Sequence, residues 1–117
     1  MRTSKKHQAK LRHYNKVKAE LEQELKDKGE WRCFFSDTPI PDHLTWKGIA
    51  WHHGKGRDGD LLTDRKFIRP VANEYHAMYH DKPTSFLKGQ WWWGGFMKRL
   101  KELDEDLWYN HKLREEK

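Results

Sequence analysis

The chain has 117 residues, of which 35% are hydrophobic, and it carries a formal charge of +6 and one cysteine. Its length limits it to one domain with a modest core, and the lone Cys33 excludes an internal disulfide, which favours a reducing, cytoplasmic setting. No apolar run approaches the ~20 residues that span a bilayer and no secretory signal is recognised, so we expect no membrane partner, whereas the positive charge favours a polyanionic one.

Residues 4–28 are predicted to form a basic amphipathic helix that ends at Gly29. Apolar residues recur at intervals of three or four: Leu11, Tyr14, Val17, Leu21 and Leu25. This stripe is narrow, so the helix either lies against the main body or pairs with a second copy in a homodimer. We therefore divide the chain into a helical extension, 1–29, and a domain, 30–117.

The central part of the chain is predicted to be mainly β-structure. The expected elements are a short buried strand at Trp31–Phe35, a turn at Ser36–Asp42, a strand at Trp46–His53, a loop at Lys55–Asp60 and a returning strand at Phe67–Val71. The glycine-rich loop joins the last two strands into a β-hairpin. Cys33, between aromatic residues, is expected to be a buried small hydrophobe.

Helices are predicted for the rest of the chain. Asn73 is the expected N-cap of a helix that carries His76 and His80 and stops before Pro83. A last amphipathic helix is expected to place its apolar residues on one side: Phe96, Leu100, Leu103, Leu107 and Trp108. Before it, Trp91-Trp92-Trp93 either packs in the core, which we favour, or stacks on unpaired bases. The predicted fold class is therefore α+β.

Four histidines fall within 29 residues, His52-His53 on the first hairpin strand and His76 and His80 on the following helix. Two imidazoles at i and i+4 on a helix can chelate one metal, and a third from a neighbouring strand leaves coordination positions open. We predict that His52, His76 and His80 bind one divalent ion, which can be Mg, Mn, Ni or Zn. His53 would then be the general base that deprotonates water.

The segment from Trp51 to His80 resembles the HNH, or ββα-metal (His-Me finger), nucleases. It is especially similar to the DNase domains of colicin-type bacterial toxins, and its His-His-x-x-Gly-Arg form, His52 to Arg57, is similar to HNH nucleases encoded by phages. The resemblance covers about thirty residues and implies a small ββα-metal core with His53 as base and His52, His76 and His80 as ligands. The flanking regions are not recognised.

Two features depart from the family pattern. Where the family has an asparagine on the second strand that holds the loop carrying the base, this chain has Phe67, nine residues before His76. Thr63 or Asp64 could brace the loop instead, or Phe67 could simply pack. The cysteine pairs that bind a structural zinc in many relatives are also absent.

Basic residues surround the predicted metal site. We assign to nucleic-acid binding Lys5, Lys6, Lys10 and Arg12 of the first helix, and Lys55, Arg57, Arg65, Lys66 and Arg69 of the hairpin. Arg57 is also assigned to catalysis, because its planar fork suits phosphate oxygens; the alternative is a loop salt bridge with Asp58 or Asp60. The first-helix residues could instead form an ordinary solvated face.

These patterns predict a metal-dependent HNH-type endonuclease that hydrolyses DNA phosphodiester bonds with little sequence specificity, because it reads mainly the backbone. The resemblance implies a role in phage DNA processing or recombination in a bacterial cell, on double- or single-stranded DNA. Two alternatives remain open. One is a catalytically silent module that binds metal and DNA, and the other is a self-associating helical scaffold.

Overall fold

A computed structural model describes residues 5–54 and 65–116, apart from the side chains of Lys6 and His7. Its elements, in chain order, are α1 Lys5–Asp27, β1 Ala50–His53, a 3₁₀ turn Arg65–Phe67, β2 Ile68–Val71, α2 Asn73–Asp81, α3 Thr84–Leu87, α4 Trp93–Leu103 and α5 Glu105–Glu115. The α+β class is confirmed. The predicted loop Lys55–Asp60, with Thr63 and Asp64, lies outside the described residues. No helix in the described ranges is long and apolar enough to cross a membrane.

The two strands pair antiparallel, with His52 opposite Arg69 and His53 opposite Ile68. Both are shorter than predicted. The first begins at Ala50, not Trp46, because the residues before it form other hydrogen bonds. The Trp46 N–H, for example, donates to the Glu22 carboxylate of α1 at 2.7 Å. Phe67 belongs to the 3₁₀ turn that enters β2. An antiparallel strand pair followed directly by a helix agrees with the predicted order β-β-α.

The predicted strand at Trp31–Phe35 is wrong. Only one bridge forms there, between Arg32 and Pro39, and the chain turns between them. Asp37 adopts a positive φ of 56° at this turn, while the Cys33 N–H donates to the Thr38 carbonyl at 2.9 Å. Local hydrogen bonds thus replace a strand ladder. Cys33 is buried, as predicted, and its Sγ accepts from the Ala72 N–H at 3.3 Å.

Helix ends also differ from the prediction. Asn73 is the first residue of α2, whose N-cap is Ala72 without a side-chain cap, so Asn73 does not act as N-cap. The single last helix is wrong: Asp104 is extended and its carboxylate accepts from the Asp106 and Leu107 N–H groups, which starts α5. This capping turns the chain, so the predicted apolar side is divided between α4 and α5. The short α3 was not predicted.

The core consists of two aromatic-rich clusters. The first contains Cys33, Phe35, Val71, Leu87, Trp92, Trp93, Phe96, Met97 and Leu100. The second contains Tyr14, Val17, Leu21, Trp31, Ile40, Trp51 and Ile68. The α1 stripe therefore packs against the body of the protein. A homodimer through α1, which stays a prediction, would have to use another face of the helix. Trp92 and Trp93 are core, as favoured, whereas Trp91 is 69% exposed.

Because α1 contributes to the second cluster, we expect it to be integral to folding and not a removable extension. Leu21→Ala should lower the free energy of unfolding by about 2–4 kcal/mol, since it deletes buried methyl groups and leaves a cavity. Urea denaturation measures this change, with Lys16→Ala on the exposed face of α1 as the matched control. A loss of less than ~1 kcal/mol would contradict an integral α1.

Candidate metal centre

All four predicted histidines line one cavity of about 390 Å³, together with Trp51, Gly54 and Tyr79. His52 and His53 come from the end of β1, and His76 and His80 come from successive turns of α2, which packs against β1. The strand and the helix thus bring together residues that lie 23 to 28 positions apart in the chain. The sequence prediction that these side chains share a cleft is consistent with this arrangement.

His76 and His80 lie side by side on α2. Their Nε2 atoms are 3.0 Å apart and their rings meet edge to face, with centroids 4.5 Å apart. Side chains four residues apart lie on one face of an α-helix, and here the two nitrogens lie within hydrogen-bond distance of each other. Burial, and then the neighbouring His80, lower the pKa of His76, which favours the neutral imidazole that can donate a lone pair to a metal.

His52 is almost fully buried, with 6% of its surface exposed. Its ring lies among aromatic side chains: it stacks on Phe34 at 6.2 Å and meets Phe35 at 5.0 Å and Tyr79 at 5.1 Å between centroids. Burial, followed by repulsion from the other histidines, lowers the pKa of His52 to about 3. This imidazole is therefore neutral throughout the physiological range.

His53 is held by a residue that the sequence prediction did not assign to the site. The Tyr14 hydroxyl lies 2.7 Å from His53 Nε2, and the two ring centroids are 5.5 Å apart. Tyr14 comes from α1, 39 residues earlier in the chain. The amphipathic stripe placed Tyr14 on the buried face of α1, but no sequence signal indicated which residue that face would meet.

Phe67, at the position of the family asparagine, is buried. Its backbone and ring both hold Gly54, the residue that follows the predicted base. The Gly54 N–H donates to the Phe67 carbonyl at 2.8 Å, and a Cβ on Gly54 would lie 3.4 Å from the Phe67 ring and 3.3 Å from Leu107. Packing and a main-chain hydrogen bond therefore anchor the start of the loop.

A second hydrogen-bonded pair, Tyr79 and His111, lies beside the histidine cavity, which Tyr79 lines. The Tyr79 hydroxyl lies 2.9 Å from His111 Nε2, and His111 Nδ1 lies 2.8 Å from the Leu107 carbonyl. A carbonyl only accepts, so Nδ1 carries the proton and Nε2 accepts from Tyr79. Burial lowers the pKa of His111, which favours the neutral ring over the imidazolium. His111, on α5, was not assigned a role from the sequence.

The predicted nucleic-acid contacts separate into groups. Lys5, Lys10 and Arg12 are exposed on α1, and Lys66 is exposed beside the Phe67 ring. Arg65 instead forms ion pairs with Glu20, at 2.8 Å, and Glu24 of α1. Arg69 is half-buried and lines a different cavity. Lys55, Arg57 and the side chain of Lys6 lie outside the described residues, so the catalytic and phosphate-binding assignments of Arg57 stay predictions.

The described residues contain no group of three or more His, Cys, Asp or Glu side chains arranged closely enough to hold a metal ion. The converging pair His76–His80 fits two ligands of one ion, while His52, the third predicted ligand, lines the same cavity without completing such a group. Comparisons with protein-family models, curated proteins and solved structures gave no match for this chain.

The lowered pKa of His52 predicts an acid-sensitive fold in metal-free buffer. Below its ordinary pKa of 6.5 the unfolded chain binds a proton that the folded chain excludes until about pH 3, so stability is present above pH 6.5 and falls below it. Between pH 8 and pH 5 the loss from this residue should be about 2 kcal/mol.

Urea unfolding in EDTA at pH 8, 6.5 and 5 measures this dependence. The phenyl ring of His52→Phe suits the aromatic surroundings and does not titrate. Between pH 8 and pH 5 the free energy of unfolding of this variant should therefore fall by about 2 kcal/mol less than that of the parent protein. The remaining acid sensitivity comes from other buried groups, including His111. An identical pH slope in the variant and the parent protein would contradict the expectation.

Proposed function

We propose that this protein is a metal-dependent endonuclease that hydrolyses DNA phosphodiester bonds at the histidine cavity, in the manner of the HNH nucleases that its sequence resembles. The observation that carries the proposal is the convergence of four histidines, from β1 and α2, on one cavity. Neutral imidazoles suit metal binding and an unprotonated histidine suits proton abstraction, so one cavity holds groups for both tasks.

In this proposal His76, His80 and His52 hold one divalent cation. Their rings are suited to it in two ways: the Nε2 atoms of His76 and His80 already converge, and the lowered pKa values of His52 and His76 keep those rings unprotonated. A bound divalent cation would supply electrostatic stabilisation for the negative charge that develops on the phosphate and the leaving oxygen.

His53 is proposed as the general base. It accepts a proton from the water that attacks phosphorus, the bond between phosphorus and the leaving deoxyribose oxygen breaks, and that oxygen takes up a proton from solvent water. Tyr14 is proposed as a positioning residue, because a hydrogen bond of 2.7 Å fixes the orientation of the His53 ring. This arrangement makes α1 part of the site, since it supplies the residue that orients the base.

Exposed basic residues on α1 would contact the DNA backbone. Lys5, Lys10 and Arg12 are exposed, and such contacts bind phosphates without reading bases, so affinity should fall as salt rises. Arg65 is a weaker candidate, because its guanidinium already pairs with two carboxylates. We therefore assign to the α1 lysines and Arg12 the larger share of backbone contacts among the described residues.

Cleavage of supercoiled and single-stranded DNA tests the proposed activity. Purified protein with Mg²⁺, Mn²⁺, Ni²⁺ or Zn²⁺ should nick supercoiled DNA, EDTA should abolish nicking, and His53→Ala should reduce the rate roughly 100-fold or more, as expected for loss of a general base. His43→Ala, at an exposed histidine outside the cavity, is the matched control. Full activity of His53→Ala would exclude His53 as the base.

Metal binding is a separate prediction. His80→Ala should weaken Zn²⁺ or Ni²⁺ binding at least about tenfold, because removal of one imidazole leaves its partner on α2 without a chelate. Isothermal titration measures the affinity, and His13→Ala, exposed on α1, is the control. Equal affinities for the parent, His80→Ala and His76→Ala proteins would place the metal elsewhere.

A DNA-binding module without catalysis is the second candidate function. Phe67 in place of the usual asparagine favours it, because a buried phenyl ring offers no polar side-chain group beside the proposed base at the end of β1. Retained metal and DNA binding without turnover under any of the four metals would identify this candidate. Self-association as a scaffold, the third alternative, would appear as a dimer in light scattering.

A further inference from the structure

A second cavity of about 390 Å³ opens between the end of α1, the turn that follows it, β2 and α4. None of the four histidines of the candidate metal centre lines it. Its apolar wall consists of Leu25, Phe34, Pro70 and Leu103. Three arginines, Arg32, Arg69 and Arg99, also line it. A cavity of this volume suits a small organic ligand, for which sites of about 300–1,000 Å³ are usual.

Two of the three arginines already have hydrogen-bond partners within the fold. Arg99 donates from Nε to the Phe34 carbonyl at 2.8 Å and from Nη2 to the Phe35 carbonyl at 2.6 Å. Arg32 pairs with the Asp37 carboxylate at 2.9 Å. These bonds brace the turn after α1, so structural roles account for both guanidinium groups.

Arg69 differs from both. Its side chain is half-buried, and within residues 5–54 and 65–116 it has neither a hydrogen-bond nor an ion-pair partner. Burial lowers the pKa of its guanidinium, and Glu30 is the carboxylate whose charge opposes that effect. A half-buried charge without a hydrogen-bonded partner is costly, because it loses hydration without compensation. A bound anion at the cavity would supply that compensation.

We propose that this cavity binds a phosphate monoester carried by a small ring-containing molecule, of the class of nucleoside monophosphates. The Arg69 guanidinium, whose planar fork suits two phosphate oxygens, would hold the phosphate. The ring would lie against the apolar wall that includes Phe34. Binding there is independent of phosphodiester cleavage and involves no histidine of the metal centre.

Charge in the cavity restricts the ligand further. The three arginines are matched by three carboxylates in the lining, Glu30, Asp37 and Glu102. The lining is thus formally neutral, which suits one phosphate at Arg69 and disfavours a polyanion such as a nucleoside triphosphate or a stretch of DNA backbone. Carboxylate oxygens can also accept hydrogen bonds from N–H groups of a ring.

Thermal unfolding and isothermal titration of the full chain in EDTA test the proposal with three probes: thymidine 5′-monophosphate, inorganic phosphate and thymidine. The monophosphate should bind and raise Tm, while inorganic phosphate and thymidine should each bind at least tenfold more weakly. Arg69→Met should abolish monophosphate binding and, because it removes a half-buried charge that has no hydrogen-bond partner among the described residues, should raise Tm in the absence of ligand. Lys16→Met, exposed on α1 and assigned no binding role, should change neither property.

Any of the following results would overturn part or all of the proposal. Unchanged monophosphate binding by Arg69→Met, or no binding of any phosphate by the parent protein, would exclude Arg69 as the phosphate contact. Equal affinity for inorganic phosphate would exclude the ring subsite. If Arg69→Met does not fold, Arg69→Gln replaces it, with the same loss of binding expected. DNA cleavage is not measured here, so failure of the nuclease proposal cannot produce these results.

Discussion

The two-stranded sheet imposes the main constraint on this protein. Strands of four residues pair only with each other among the described elements, and such a hairpin is marginal in water unless other elements cover it. One cluster, with α1, covers Trp51 and Ile68, and the other, with α4, covers Val71. Helices next to the hairpin also reach the histidine cavity: α1 brings Tyr14 to His53, and α5, which packs against α4, brings His111 to Tyr79.

Burial of imidazole has two opposite effects at the histidine cavity. It costs stability in acid, because a proton that the unfolded chain binds is excluded from His52. It also keeps the ring neutral, which is the form that ligates a metal. Aromatic contacts from Phe34, Phe35 and Tyr79 surround the His52 ring. The same packing that makes the fold sensitive to acid therefore prepares the proposed ligand.

The arginines show why formal charge overstates the positive surface available to DNA. Arg65 pairs with glutamates of α1, and Arg99 is bonded to two main-chain carbonyls. Arg69 is half-buried and lacks such partners in the described part of the chain. The same residue type thus supports the fold in two places and is proposed to bind a ligand in the third. Of the residues assigned to nucleic-acid binding, those that the structure describes as exposed are Lys5, Lys10, Arg12 and Lys66.

Local patterns in the sequence were sufficient for several elements. The amphipathic period of α1, the hairpin strands around the histidines, the helix carrying His76 and His80, and its end before Pro83 were predicted and are confirmed within a few residues. The spacing of four also placed His76 and His80 on one face. These features depend on interactions between residues close in the chain, which composition and periodicity reveal.

Other features depend on which distant segments meet. Residues 31–39 form a turn and not the predicted strand, because their N–H groups donate to carbonyls within the turn and, from Phe34, to the Pro70 carbonyl of β2. Asp104 divides the predicted last helix by capping α5. The contact of Tyr14 with His53 joins residues 39 positions apart. Arg69, which has no hydrogen-bond or ion-pair partner among the described residues, lines a cavity together with Leu25 of α1. The sequence by itself determined α1, α2, the two hairpin strands and the spacing of the histidine pairs. Tertiary packing alone decided their partners, because burial and hydrogen bonding between distant residues have no local signature.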